Sequence, residues 1–505
     1  MDRSQDGSGE RSEAGTADFL QLDAGEAPRG GLADWLAARL RQAVRDGRLP
    51  VGGRLPATRV LAGELRVSRG VVTEAYRRLV EDGHAAGRGR NGTVIVAAPV
   101  GVPGPATTAD PRPAPPPRPP SPHALFAGPP GPDVFEALRS VPVRIDLSPG
   151  RPDLAAFPRA AWLRAERALL GGLAAPELGY GEPQGAPRFR RAVADWLARN
   201  RGVRAEPEEI VVVGGVAQAL ALLARVLRDR GTAGVAVEDP GSLGVRQQLS
   251  GWGIATPPVP VDGDGLRVDA LRRSGAPAVL VTPAHQFPTG VVLSGRRRGE
   301  LVEWAAAGGL VVEDDYDAEH RYGRPPVAAL RSLLPDHVCY TGSVSKLLAP
   351  ALRVGWLLVP RHLHDDVVAA KRLADLGNAL LPQLVLARLM ESGELERHLR
   401  ALRRRHRRRR DVMIEALAAH LPGAVVHGTA AGLHLLVTFD GPLRDTDVAA
   451  EALLRGVKAQ PLAWHAVRPT GPGLVLGYAA CTATEIREGV AVLAGVVRDL
   501  SRAGT

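Results

Sequence analysis

The sequence contains very little cysteine and no long apolar run. Cys339 and Cys481 are the only cysteines among 505 residues, both stand in apolar, strand-like runs, and no CxxC metal pattern is present. This usage indicates buried thiols in a reducing compartment and no metal site. No apolar run reaches the length of a membrane span, and the opening stretch MDRSQDGSGERSEAG does not resemble a signal peptide. We therefore expect a cytoplasmic protein without a membrane partner.

Acidic residues are fewer than basic ones, which gives a formal net charge of +10. Arginine and alanine are both abundant, a bias typical of GC-rich genomes, so the charge alone is weak evidence for a nucleic-acid partner. The length exceeds that of one ordinary domain, and the composition is close to half apolar. The chain can therefore bury more than one large core.

Composition divides the chain into four regions. Residues 1–28 are polar without periodicity, which predicts a disordered tail. Residues 29–97 show helical periodicity and then a short strand, whereas proline and glycine dominate residues 98–140, which predicts a semi-rigid spacer. In residues 141–505, apolar strand-like runs alternate with amphipathic helices. That alternation predicts an α/β domain, with a mostly parallel sheet, helices on both faces and a smaller α+β subdomain.

Two short helices joined by a tight turn are predicted in residues 29–97. Ser68 is a good N-cap for the second helix, whose buried stripe is expected to be Val72, Ala75, Tyr76 and Leu79. This pattern is typical of a helix-turn-helix, with the second helix reading DNA. The following GRGRNGTVIV predicts a wing that carries Arg88 and Arg90. A small helical domain with surface arginines would give the same spacing.

Residues 47–96 also resemble the winged-helix DNA-binding domain of the GntR family, nearly end to end. The resemblance implies double-stranded DNA as a partner, with DNA-facing residues Arg54, Arg59, Ser68, Arg69 and Gly92. Ala57 stands where the family usually has a serine, so we expect Thr58 to cap the first of the two helices. A helix N-terminus attracts phosphate through its free N–H groups, which suits the position of Ser68.

The stretch TGSVSKLLAPALRVG places Lys346 directly after an apolar run. Its amine can form a Schiff base with an aldehyde cofactor, whose phosphate and ring nitrogen then need partners of their own. A phosphate requires a cation, hydroxyls and a helix N-terminus. The candidates are Ser343, Ser345, Arg353 and the backbone amides of Val216 and Ala217, which follow the strand EEIVVVGG.

The strand GLVVEDDYD supplies partners for a cofactor ring. Asp314 can pair with a protonated pyridine nitrogen, and the hydroxyl of Tyr316 can reach a phenolic oxygen. All these groups follow successive strands, at the edge where open α/β sheets bind ligands. Taken singly, Asp314 also fits a strand-end charge and Arg353 a surface ion pair. Their joint order along one chain favours a cofactor site.

Residues 146–494 resemble the fold-type I, aspartate-aminotransferase-like superfamily. The resemblance implies pyridoxal 5′-phosphate as cofactor, with Lys346 as its Schiff-base lysine. The segment TPAHQFPTG implies that His285 and Gln286 lie beside the ring. The segment LGYGEPQG implies that Tyr180 reaches the phosphate of the neighbouring subunit, and therefore a head-to-tail homodimer.

A GntR winged helix, a long spacer and this domain together resemble the MocR subfamily of bacterial regulators, as do the segments EDDYDAEHRY and HQFPTGVVL. The resemblance implies a transcriptional regulator whose effector is pyridoxal phosphate or an amino compound that reacts with it. Three departures stand out: Ser242 replaces a tyrosine near the ring, Ala217 replaces a glutamine, and GLVLGYA lacks an arginine for a substrate carboxylate. An aminotransferase with an accessory DNA-binding domain remains the main alternative, and a scaffold without cofactor is a third.

The run HLRALRRRHRRRRD forms a dense positive stripe that could attract nucleic acid. Its apolar side, Leu399, Leu402, Met413 and Leu417, predicts a helix with one face in a core. Because charge runs usually solvate a helix face, we favour the second interpretation.

Overall fold

The computed structural model describes residues 22–28, 30–46, 48–50, 52–82, 84–87, 92–96, 121–317, 319–322 and 327–503. The chain divides into two compact units, residues 1–116 and 117–505. Within the described residues, no helix combines the length and apolar character needed to cross a membrane.

The first unit is a small helical domain with a two-stranded sheet. Its elements are α1 (Leu32–Arg45), α2 (Thr58–Glu64), α3 (Arg69–Glu81), β1 (Ala85–Gly87) and β2 (Thr93–Ile95). β1 and β2 pair antiparallel, as in a wing. The predicted stripe of α3 is confirmed, because Val72, Ala75, Tyr76 and Leu79 are all buried.

The beginning of the chain is more ordered than composition indicates. Leu22 packs into the core of the first unit, and residues Ala24–Glu26 form a 3-10 turn. The predicted disorder of residues 1–28 is therefore wrong for residues 22–28, since a single buried leucine anchors this short segment. Residues 1–21 lie outside the described part of the chain.

The capping of α2 and α3 was predicted correctly for one helix only. The Ser68 hydroxyl accepts a hydrogen bond from the Val71 amide at 3.4 Å and caps α3. At α2 the N-cap is Ala57, which forms no side-chain cap, and the prediction that Thr58 caps this helix is wrong. Thr58 is already the first helical residue, and its hydroxyl accepts a hydrogen bond from Arg69 Nε at 3.3 Å.

The second unit contains thirteen α-helices and fourteen strands among the described residues. The helices are α4 (Pro122–Phe126), α5 (Val134–Ser140), α6 (Arg159–Leu170), α7 (Pro187–Arg201), α8 (Val216–Asp229), α9 (Leu243–Gly251), α10 (Val268–Ser274), α11 (Gly295–Ala306), α12 (Arg361–Asp375), α13 (Leu380–Glu391), α14 (Glu394–His420), α15 (Asp445–Leu454) and α16 (Ala483–Ala503). The strands are β3 (Ile145–Asp146), β4 (Ile210–Val213), β5 (Ala236–Asp239), β6 (Pro258–Asp262), β7 (Gly265–Leu266), β8 (Ala278–Val281), β9 (Leu310–Asp315), β10 (Val338–Ser343), β11 (Gly355–Leu358), β12 (Val425–His427), β13 (His434–Thr438), β14 (Val457–Lys458), β15 (Gln460–Pro461) and β16 (Gly473–Gly477).

A sheet of eight strands forms the centre of the second unit, in the order β4-β11-β10-β9-β8-β5-β6-β7. All neighbours pair parallel except β11 with its two neighbours and β7 with β6. Successive side chains of a strand point to opposite faces. Ile210 and Val212 of β4 accordingly enter one core with α7 and α13, and Val211 and Val213 enter another with α8 and α12. The predicted mostly parallel sheet with helices on both faces is confirmed.

A smaller α+β layer follows the large sheet, as predicted. The strands β12, β13, β16 and β15 form an antiparallel sheet. Their core also includes α15, α16 and the second half of α14.

Two short helices belong to this second core although composition assigned them to the spacer. Phe126 of α4 and Val134 and Leu138 of α5 are buried in it. The prediction of one spacer over residues 98–140 is therefore wrong for residues 121–140, because these three side chains bury enough apolar surface to fold the segment. Residues 97–120 lie outside the described part of the chain.

Candidate functional site

A cavity of about 380 Å³ opens where several strands of the large sheet end. Asp314 stands at the end of β9, Ser343 at the end of β10, and Val216 begins the helix after β4. Seven of the eleven predicted cofactor residues line this cavity: Val216, Asp314, Tyr316, Ser343, Ser345, Lys346 and Arg353. The other four, Ala217, His285, Gln286 and Tyr180, are not part of its wall.

The amine of Lys346 is held at the cavity wall by backbone. Its Nζ donates a hydrogen bond to the carbonyl oxygen of Gly150. Gly150 has a φ of +75°, and a Cβ there would lie 3.1 Å from the amine, so a glycine suits this approach. Burial lowers the pKa of Lys346, although the charges of Asp317 and Asp314 oppose the shift. This shift increases the share of the neutral amine, which is the form that attacks an aldehyde.

Asp314 presents an unpaired carboxylate oxygen to the interior. Its Oδ1 is buried without a hydrogen-bond partner among the described residues. Burial raises the pKa of Asp314 to about 7, and the neighbouring charges of Asp315 and Asp317 add to the shift. A buried carboxylate without a partner is costly, and a protonated ring nitrogen would satisfy it.

Tyr316 is fixed by a short hydrogen-bonded chain. Its hydroxyl donates to the carbonyl oxygen of His285 at 3.0 Å, and it lies 3.2 Å from His285 Nδ1. The same Nδ1 lies 2.9 Å from Asp317 Oδ2. Burial raises the pKa of Tyr316 well above its usual range, so the hydroxyl keeps its proton. His285 thus orients Tyr316 from behind the cavity wall.

A cation and a helix N-terminus meet at the other end of the cavity. Arg353 follows a 3-10 turn with a φ of +50°, and its guanidinium lies against Gly215, where a Cβ would be 3.4 Å from Nη1. Gly215 precedes α8 with a φ of +110°. Within the described residues, no carboxylate pairs with Arg353. This cation, the α8 amides and the nearby Ser343 together fit a phosphate group.

The predicted residues outside the wall have other positions. Gln286 is buried and donates to the carbonyl of Pro240 at 2.9 Å while accepting from Thr289, so it orders the loop behind the cavity. Ala217 is exposed on the first turn of α8. Tyr180 is 97% exposed. These positions do not bring Gln286, Ala217 or Tyr180 to the cavity of their own chain.

The cavity is also lined by residues that the sequence did not single out, including Phe135, Phe287, His434 and His465. They come from four separate segments, and no local spacing relates them. Ser242 also lines the cavity, where its hydroxyl caps α9 by accepting from the Val245 amide at 3.3 Å.

The candidate DNA-facing residues of the first unit are on its surface. Arg54, Arg59, Ser68 and Arg69 are exposed. Arg54 pairs with Val94 of β2, and Gly92, with a φ of +77°, lies beside the Arg54 side chain at the base of the wing. Arg88 and Arg90 lie outside the described residues.

The arginine-rich helix α14 has the predicted core side, because Leu399, Leu402, Met413 and Leu417 are buried. Some of its arginines contact other residues of the second unit. Arg405 and Arg409 each lie 2.8 Å from Asp153, and Arg410 stands over the ring of Tyr322 at 4.6 Å.

Comparison with known proteins agrees with this division of the chain. The family "Aminotransferase class I and II" matches residues 143–493, and "Bacterial regulatory proteins, gntR family" matches residues 32–95. The probable rhizopine catabolism regulatory protein MocR of Rhizobium meliloti is 32% identical over 93% of this chain and 94% of its own length.

A second curated relative and a solved structure are similarly close. The pyridoxine biosynthesis transcriptional regulator PdxR of Corynebacterium glutamicum is 33% identical, over 88% of this chain and 91% of its own. The crystal structure of the multiple substrate aminotransferase from Thermococcus profundus is 27% identical with a TM-score of 0.67, over 75% of this chain and 98% of that chain.

Proposed function

The chain belongs to the MocR-type regulators of the gntR family, and on that premise we propose that it controls transcription by sensing pyridoxal 5′-phosphate or an amino compound that reacts with it. The observation that carries the proposal is that the Lys346 amine and the unsatisfied Asp314 oxygen lie in the same cavity. The α/β fold predicted from sequence, a winged helix-turn-helix followed by a fold-type I aminotransferase domain, is confirmed.

The chain's own residues provide each contact that the cofactor requires. Lys346 would hold its aldehyde carbon, Asp314 its ring nitrogen and Tyr316 its phenolic oxygen, while Arg353 and the N-terminus of α8 would hold its phosphate. Bound pyridoxal phosphate supplies an electrophilic carbon that a free amine can attack. The raised pKa of Asp314 reflects burial, and a cationic ring nitrogen would remove that cost by stabilising the ionised carboxylate.

One feature favours sensing over transamination. The strand β16, where the sequence lacks an arginine, places Val475 in a small apolar cluster with Leu436, Leu462 and Phe287. Among the described residues that line the cavity, Arg353 and Lys346 are the only cations, and both are assigned to the cofactor. A substrate carboxylate would therefore lack a partner from this part of the chain.

A head-to-tail homodimer is part of the proposal. Tyr180 is 97% exposed although it is a large aromatic residue. Such exposure suits a side chain that reaches a neighbouring copy, and a dimer would present two winged helices to paired half-sites of DNA. Because DNA is the proposed target, we place the protein in the bacterial cytoplasm.

The chain offers a sharp test, because it contains only three lysines: Lys346, Lys371 and Lys458. We expect the full chain mixed with pyridoxal phosphate to show a visible absorbance band. Borohydride reduction followed by peptide mapping should place the cofactor on Lys346 and leave the other two lysines unmodified. The Lys346→Ala variant should lose the band while keeping its far-ultraviolet circular dichroism. Modification of Lys371 or Lys458 at the same rate would contradict the assignment.

A transamination assay distinguishes a regulator that senses the cofactor from an aminotransferase. With pyridoxal phosphate and common amino donors, we expect no sustained transamination by the purified chain. Robust ping-pong turnover would instead identify an aminotransferase that carries a DNA-binding domain.

A further inference from the structure

The segment of residues 121–140 contributes an aromatic side chain to the cofactor cavity. Phe135, on α5, lines the same cavity as Lys346 and Asp314. This segment follows directly, along the chain, the residues that join the two units. The wall of the cavity is therefore built partly from the first helices of the second unit.

Phe135 contacts the first turn of α9. A Cβ placed on Gly244 would lie 3.7 Å from Phe135 Cε2, so the ring packs across the first turn of α9. Ser242, at the start of the same turn, also lines the cavity, and its hydroxyl caps α9. This turn consequently presents no ring of its own, and Phe135 supplies the aromatic surface there.

The ring of Phe135 is held by other aromatic groups. It stacks on His465 with centroids 6.4 Å apart and meets the edge of Trp464 at 6.2 Å. Phe126 of α4 stacks on the same Trp464 at 4.9 Å without lining the cavity. Offset stacks and edge contacts of this kind stabilise the fixed position of a ring.

Polar contacts attach the same segment to α9. Gln247 Nε2 donates to the carbonyl of Gly131 at 2.7 Å. Arg246 donates to the carbonyls of Trp464 and His465 at 2.9 and 3.0 Å. Residues 121–140, the first turns of α9 and the Trp464–His465 turn are thus one connected wall.

We propose that Phe135 packs against the planar ring of the ligand in the cavity, and that occupancy thereby fixes residues 121–140 in place. The inference rests on the proposed function and adds a way in which occupancy of the cavity can affect residues 121–140. In the docked form, residues 121–140 pack on α9 as they do in this structure. A ligand that contacts Phe135 binds this form more tightly than a form in which the segment has separated, and it must raise the population of the docked form by the same factor.

Hydrogen–deuterium exchange of the full chain, with pyridoxal phosphate as the probe, tests this coupling. In the unaltered protein the cofactor should slow amide exchange in residues 121–140 by at least about twofold, the lower end of the range for one aromatic contact. Phe135→Leu should still form the visible band, bind the cofactor about three- to tenfold more weakly and lose the slowing. Phe135→Tyr keeps a ring and should retain both properties.

Phe126→Leu is the matched control, since it loosens the same segment from outside the cavity. It should raise exchange in the absence of cofactor, yet the cofactor should still slow it. If Phe135→Leu keeps the affinity and the slowing of the unaltered protein, the inference is wrong. It is also wrong if the unaltered protein forms the band without any slowing. Absence of the band in the unaltered protein would instead overturn the proposed function.

Discussion

Arg201 and Asp315 form an ion pair in the interior of the second unit, with Nε 2.5 Å from Oδ2 and each side chain 1% exposed. Arg201 ends α7, and Asp315 ends β9 next to Asp314. Tyr340 also donates its hydroxyl to Asp315. The pair therefore connects a helix to the strand end that carries the carboxylate of the cavity.

Removing one member of the Arg201–Asp315 pair should lower the free energy of unfolding. Arg201→Met leaves the Asp315 carboxylate buried without its cation, and we expect the free energy of unfolding to fall by about 3–5 kcal/mol. Urea denaturation of the cofactor-free protein measures it. In the control Arg188→Met, the broken pair with Glu391 is on the surface, so the expected loss is below about 1 kcal/mol. Equal losses in the two variants would contradict the interpretation.

Asp314 should make stability depend on pH. Because burial raises its pKa from 3.8 to about 7, the folded protein keeps a proton there that the unfolded chain releases. The contribution of Asp314 to the free energy of unfolding of the cofactor-free protein should therefore fall as the pH rises from about 4 to about 7. Asp314→Asn removes this contribution and should give a shallower fall. Urea midpoints at pH 4.5 and 7 test it, and parallel pH profiles for the two proteins would refute it.

The winged unit should contact DNA phosphates through Arg59 and Arg69. Replacing either with alanine should weaken binding to duplex DNA of any sequence and reduce the slope of log affinity against log salt by about 1. Fluorescence anisotropy over a salt series measures both quantities. Arg77→Ala is the control, because Arg77 lies on the same helix but pairs with Glu74 at 2.6 Å. A slope lowered equally by Arg77→Ala would refute specific roles for the other two arginines.

Gly150 should contribute to cofactor affinity through its close approach to Lys346. Gly150→Ala adds a Cβ 3.1 Å from the Lys346 amine at a φ of +75°. We expect its cofactor affinity to fall about tenfold or more. The strained backbone should separately lower the free energy of unfolding by about 1 kcal/mol. Gly231→Ala is the matched control, with a φ of +83° but no atom within 4 Å of the added Cβ. It should lose similar stability and keep its cofactor affinity, measured by absorbance titration. Equal affinity losses would assign the effect to strain alone.

Several of the predicted residues that line the cavity stand at or just after the end of a strand. Asp314, Ser343 and Val216 end or follow strands of one sheet, and parallel strands bring their ends to a common edge. Local periodicity likewise predicted the buried stripe of α3. Such features depend on near neighbours along the chain, and they can be inferred without knowing the packing.

The features that sequence missed depend on distant partners. Gly150 and Lys346 are 196 positions apart, and Phe135 lies in a region whose composition indicates a spacer. The predicted cap at Thr58 was wrong, since Thr58 is already the first helical residue and its hydroxyl bonds to Arg69 of the next helix. Only the packed chain shows which of many glycines, phenylalanines and threonines has such a partner.

The helix α14 belongs to two cores at once. Leu395, Leu399 and Leu402 lie in the core beside the large sheet, while Met413, Ala416 and Leu417 lie in that of the smaller layer. At 1.5 Å per residue its 27 residues span about 40 Å. Because each half of this stiff rod is packed in a different core, neither layer can slide freely past the other. Motion that narrows the cavity must therefore tilt or bend this rod.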